Sequence, residues 1–222
     1  MSKKLIAACM AIAAFAALAM ASTASAAPVI THPTGTVLAT GVNLQATNVG
    51  ETKFISPSLT VACTTAKLTG PLKSNSTAGG FQGEVTSATF NGTGTGGDCT
   101  STGSFFTGSV GVTTNTGTNG TPYCIKNTLN DNLEIRGGAC ASATRPIRFA
   151  LDLTGLVTCT YERTTGIAGT FKTHPEDAQG SVNSGQTFSL VSGFACPSTG
   201  ELSMTFTLET DTATAEPLYI SS

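Results

Sequence analysis

Tryptophan is absent from the 222 residues, histidine occurs only twice, and charged side chains make up 11% of the chain. Each scarcity excludes something. Without Trp and with only three Tyr, the sequence lacks the aromatic platforms on which sugar-binding modules stack their ligands. Two histidines, His32 and His174, cannot furnish a histidine-rich transition-metal site. No run of Lys or Arg exists, so the phosphate-neutralising surface that nucleic-acid binding requires is missing. No G-x-S-x-G elbow, phosphate-binding loop or dinucleotide fingerprint occurs, and no cofactor is implied. Beyond residue 21 no apolar run is long enough to span a bilayer, so no transmembrane segment is expected after the leader. Ser, Thr and Gly fill the polar positions instead. Thr suits strands and Gly suits turns, which points to a neutral, hydroxylated β surface rather than to disorder.

The N-terminus carries an export signal. Lys3 and Lys4 precede the apolar run "LIAACMAIAAFAALAMA" (5–21), and "ASA" (24–26) offers small residues for cleavage. The expected signal peptide is 1–26, which places the mature protein outside the cytoplasm, secreted or held at the cell envelope. A competing lipobox reading of "IAAC" would make Cys9 a lipidated N-terminus, but too few apolar residues precede it. Cleavage after Ala26 removes two of the eleven basic residues and leaves thirteen acidic ones in a mildly acidic chain.

Six cysteines follow the leader: Cys63, Cys99, Cys124, Cys140, Cys159 and Cys196. An even number in an exported chain reads as three disulfides, and no Cys-x-x-Cys pair argues for zinc. Their spacing is informative, because "CTSTG" (99–103) returns as "CPSTG" (196–200). Cys63 and Cys159 precede these phrases by nearly equal distances, within "LTVACTT" and "GLVTCTY". This reads as an internal duplication with copies at about 55–113 and 150–209, each closed by its own disulfide. The expected pairing is Cys63–Cys99, Cys124–Cys140 and Cys159–Cys196. In this alignment Val110 and Val112 are the counterparts of Met204 and Phe206.

Alternation supplies the fold class. Ile147, Phe149, Leu151 and Leu153 share one face of "IRFALDL", and Val157, Cys159 and Tyr161 one face of the next run. Leu202, Met204, Phe206 and Leu208 share one face of "LSMTFTL", with Ser203, Thr205, Thr207 and Glu209 opposite. One-sided strands belong to antiparallel sheets with one buried face. Weaker strands are expected at 36–46, 81–90 and 166–172, and turn-rich stretches such as "NGTGTGGD" (91–98) separate them. The expectation is an all-β, antiparallel sandwich or barrel-like domain over 27–222, disulfide-stapled and internally duplicated. Two tandem small domains split near 114–122 are the alternative.

Candidate chemistry is sparse. His174 stands in "THPED" with Glu176 and Asp177, which offers a general base or a metal ligand set; the competing reading is a polar loop turned by Pro175. "THPTGT" (31–36), "NGTPYC" (119–124), "RGGACASATRPIRF" (136–149), "CTYERTTG" (159–166) and "PLYIS" (217–221) together resemble a group of uncharacterised secreted proteins from high-GC Gram-positive bacteria. The resemblance implies bacterial export and a β-rich fold, and it carries over no activity and no site residue. The expected function is therefore a non-enzymatic extracellular or cell-envelope protein acting by surface contact, with a protein or a cell-surface glycan as partner. A secreted hydrolase assembled from distant residues and a glycan-binding module are the alternatives.

Overall fold

The computed structural model describes residues 26–114, 122–127, 132–173 and 175–221. The expected leader (but for Ala26), the lipobox Cys9 and most of the loop at 114–122 lie outside these residues. The first half contributes β1 (Val29–Thr31), β2 (Asn43–Asn48), β3 (Thr52–Ile55), β4 (Thr60–Cys63), β5 (Thr65–Ser76), β6 (Gly80–Val85), β7 (Ser87–Asn91), β8 (Cys99–Thr102), β9 (Gly108–Thr114) and β10 (Tyr123–Asn127). The second half contributes β11 (Asn132–Gly137), β12 (Ile147–Leu153), β13 (Val157–Arg163), β14 (Ile167–Lys172), β15 (Gln179–Val182), β16 (Thr187–Ser192), β17 (Thr199–Ser203), β18 (Thr205–Thr210) and β19 (Tyr219–Ser221). Helix among the described residues is confined to two 3-10 turns, Thr95–Gly97 and Cys140–Ser142.

These strands close two antiparallel eight-stranded barrels. The first runs β2-β18-β15-β14-β11-β10-β6-β5 and closes where β5 pairs with β2. The second runs β12-β13-β16-β17-β3-β4-β8-β9 and closes where β9 pairs with β12. Each barrel draws four strands from either side of residues 128–131. In both halves the chain visits the barrels in the same order: one strand in the first, two in the second, two in the first, two in the second, one in the first. The halves are thus interleaved rather than tandem. β7 stands apart, because it continues β6 along the same side of β5 and has no counterpart in the second half.

The topology corrects two details of the duplication. The repeating units run from β2 to β10 and from β11 to β18, wider than 55–113 and 150–209. Around the second barrel β8 corresponds to β16 and β9 to β17, so the echo of Cys99 and Cys196 falls one strand out of step. Val110 on β9 therefore faces the second barrel, whereas Phe206 on β18 faces the first, and they are not counterparts. Val112 is likewise on β9 of the second barrel, and it is half-buried where Phe206 is fully buried. The expected single strand over 202–208 is two strands broken at Met204. The chain passes between barrels there without losing its alternation, so Leu202 packs in one barrel and Leu208 in the other. The expected strand at 36–46 begins only at Asn43, with Val37 in an isolated bridge to Thr31.

The predicted inward faces are inward. β12 and β18 bury every second side chain, and Phe206 and Leu151 are almost fully enclosed. Eight strands leave a lumen that side chains fill. In the second barrel Phe54, Phe149, Tyr161 and Phe188 form one aromatic cluster, with ring centroids 4.6–5.7 Å apart. Phe81, Phe171 and Phe206 occupy the first. One hydrophobic cluster runs through both barrels. The β1–β19 ribbon lies across the outer end of the first barrel, with Ile30 and Ile220 paired and fully buried. Asn75 of β5 locks it there: its Oδ1 accepts from Ile30 N at 2.8 Å, and its Nδ2 donates to Ile30 O and Leu38 O at 2.8 and 2.9 Å.

All three disulfides form as expected: Cys63–Cys99, Cys124–Cys140 and Cys159–Cys196, with Cα separations of 4.6, 4.9 and 5.8 Å. The first and third are not equivalent. Cys63 pairs with Thr52 at the junction of the barrels, whereas Cys159 pairs with Leu151 nearer the outer turn. Cys124–Cys140 ties the first half to the second.

Candidate functional site

The "THPED" segment connects β14 to β15 at the outer end of the first barrel. His174 lies outside the described residues. Glu176 is exposed and paired with Lys172 at 2.9 Å, one turn-length away in sequence, and Asp177 is exposed. The other histidine, His32, pairs with Glu216 at 3.1 Å beside the terminal ribbon. No group of three metal-ligating side chains forms among the described residues. Arg136 pairs with Glu134 at 2.6 Å, and Arg148 with Glu162 across β12 and β13.

Two other places hold more structure. The first is the outer end of the second barrel. Because neighbouring strands are antiparallel, the hairpins β3–β4, β8–β9, β12–β13 and β16–β17 all turn at this end. Their connecting segments are "SPSL" (56–59), "GSFFT" (103–107), "TGL" (154–156) and "GFACPS" (193–198), and none holds a charged residue. Leu156 is 79% exposed and Phe194 87%, and Ile55 and Val191, near the ends of β3 and β16, are exposed too. Two large apolar side chains exposed in turns are unusual for a solvent-facing end, and here the nearest charges, Asp152 and Glu201, stand on the strands and not in the turns.

The end is also stiff. Cys159–Cys196 staples the β16–β17 loop to β13, and Tyr161 OH donates to Pro197 O at 3.0 Å. Burial against the aromatic cluster pushes the Tyr161 hydroxyl up to about 12, so it stays a donor at any physiological pH. Asp152 Oδ1 accepts from Gly155 N at 2.9 Å and shapes the Leu156 turn. Thr154 (φ 53°) and Ala195 (φ 57°) are the non-glycine residues with positive φ among those described. Each lies within two residues of Leu156 or Phe194. A β-branched residue in this region is strained, and such strain persists only where the surroundings impose it. The sequence reading missed this end; its available signal was a large apolar residue inside each of the four turns and no charge in any of them.

The second place is the junction of the barrels, where a cavity of about 100 Å3 has almost entirely apolar walls. Leu68, Val85 and Ile125 line it from the first barrel, Phe149 and Leu202 from the second, and Phe90 from β7. Thr52, the first residue of β3, also lines it. The Thr52 side chain is buried, and its Oγ1 has no hydrogen-bond partner.

The chain was compared with known protein families, curated proteins and solved structures, and none matches it.

Proposed function

We propose that this is an exported, non-enzymatic contact protein of the cell envelope or extracellular space, working through the apolar turns at the outer end of its second barrel. The observation that carries the reading is the outward presentation of Phe194 and Leu156 from stapled, strained turns. A contact surface made this way has the chemistry of an interface core, which is enriched in aromatic residues and depleted of charge. The export leader, the three disulfides and the resemblance to secreted bacterial proteins support the location.

The occupant this chemistry favours is another protein face that is itself apolar and uncharged. A second copy of the chain meets that description. The protein is only weakly net acidic, and turns that hold no charged residue add no repulsion between two copies meeting there. A two-fold contact then requires only that this patch complement itself.

Analytical ultracentrifugation of the disulfide-intact protein tests the reading. The expected result is a concentration-dependent dimer, insensitive to salt. Phe194→Ser with Leu156→Ser should shift its dissociation constant by at least tenfold, since each buried side chain contributes about 1.5–3 kcal/mol. Monomer at every concentration would overturn the self-contact. Turnover of ester, peptide or glycoside substrates that disappears in His174→Ala would establish the hydrolase instead. Specific, saturable glycan binding would establish the glycan module.

A further inference from the structure

We infer that the cavity at the barrel junction is a binding site for a small, largely apolar molecule carrying one hydroxyl or carbonyl group, which pairs with Thr52 Oγ1. Three observations converge. The walls are apolar, and Leu68, Val85, Ile125, Phe149 and Leu202 come from both barrels. The volume, about 100 Å3, is somewhat below that of dry engineered cavities of about 150 Å3 that take up benzene. Thr52 is one of the lining residues, and its buried hydroxyl has no hydrogen-bond partner.

Unpartnered buried hydroxyls are rare because losing hydration without a replacement bond is unfavourable. A water molecule does not resolve it, because a buried water needs two to four polar partners and these walls offer essentially one. An organic guest resolves both deficits together: its chain fills the apolar volume and its single polar group meets Oγ1. Scaling from benzene, the part enclosed has about four to six non-hydrogen atoms. Short aliphatic alcohols, aldehydes and ketones have this composition, and so does the polar-bearing end of a longer chain.

The fold supplies an approach. β7, the strand without a counterpart in the second half, brings Ala88 and Phe90 to the cavity, and Val112 of β9 lines it too. β7 and β9 lie side by side, yet neither pairs with the other in a ladder. A seam held only by half-buried side chains opens more easily than one closed by backbone hydrogen bonds. The added strand thus gives the junction a wall on one side that the duplicated core does not provide.

The test uses the intact protein with butan-1-ol and n-pentane, which are equal in heavy atoms and differ in the hydroxyl. Titrations are followed by carbon–proton correlation spectra of the Leu, Ile and Val methyl groups. Both probes should shift the methyls of Leu68, Val85, Ile125 and Leu202 and leave those of Leu156 unmoved. Thr52→Val keeps the shape and removes the hydroxyl. It should weaken butan-1-ol by about fivefold while leaving n-pentane unchanged or tighter, and its melting temperature should not fall. No saturable shift at the junction methyls for either probe would overturn the site. An equal response of the two probes to Thr52→Val would overturn the role of the hydroxyl. Neither result depends on whether the outer end of the second barrel self-associates.

Discussion

Adding one methyl group at Gly200 should destabilise the second barrel, and the structure says which atoms are responsible. Gly200 sits on β17 opposite Phe188, and its φ is not in the left-handed region. Alanine would therefore suit the backbone, and lowering the freedom of the unfolded chain would by itself stabilise by about 0.4–1 kcal/mol. Against this, a Cβ would lie 2.1 Å from Phe54 Cζ and 2.6 and 2.7 Å from its Cε atoms. Ordinary carbon contact is about 3.5–4 Å, so the ring must retreat by more than an ångström. It has little room, with the Phe149 and Tyr161 centroids 5.2 and 4.6 Å away. Overpacking of this kind costs about 1–3 kcal/mol, and the clash outweighs the entropic gain. Urea unfolding with disulfides intact reads the midpoint shift. The decisive arm is the Phe54→Leu background, which deletes the three ring atoms the methyl would meet. There Gly200→Ala should become neutral or stabilising, while the cost of Phe54→Leu itself cancels in the double-mutant cycle. If Gly200→Ala costs the same in both backgrounds, the ring-over-glycine packing is not what excludes a side chain at this position.

Two further outcomes follow from the core. Tyr161 has its hydroxyl raised by burial to about 12 from an ordinary 10, so its contribution is intact below pH 10, where folded and unfolded chains both keep the proton. Between pH 10 and 12 the unfolded chain ionises first, and stability should fall by up to about 2–3 kcal/mol; denaturant midpoints across that range should fall less in Tyr161→Phe, and parallel curves would refute the assignment. Phe206→Ala should cost about 3–5 kcal/mol, whereas Thr207→Ser, on the opposite face of β18 with its Oγ1 3.4 Å from Thr47 Oγ1, should cost well under 1 kcal/mol; equal shifts in unfolding midpoint would mean that the facing of β18 is wrong.

Which side of each strand faces the core was legible in the sequence, because alternation reports facing and nothing else. Ile147, Phe149, Leu151 and Leu153 show it, and so does the run from Leu202 to Leu208. The same property hid the architecture. Met204 carries the chain from one barrel to the other with no glycine, proline or break in period, so two strands read as one. The cysteine spacing disclosed the pairing because a disulfide between strand neighbours is a local matter. It misled about equivalence, since Cys63 lies at the junction and Cys159 towards the outer turn. The functional places were the least legible. Leu156 and Phe194 look like ordinary apolar residues until the antiparallel order brings four turns together. Thr52 looks like any strand threonine until residues as distant as Val85 and Leu202 close around it and leave its hydroxyl alone.

The order in which the chain visits its barrels also governs how it can fold. Closing the first barrel requires β2 to meet β18, and closing the second requires β9 to meet β12 and β3 to meet β17. When only the first half is available, it can assemble two half-cylinders, each with unsatisfied strand edges and an uncovered apolar face. Neither can be finished in advance of the other, because both wait for the same second half. Loop-closure entropy must therefore be met late and for both lumens together, which is the regime of slow, strongly non-local folding. A stalled or truncated chain would expose four open edges at once, the geometry from which strand exchange between copies begins.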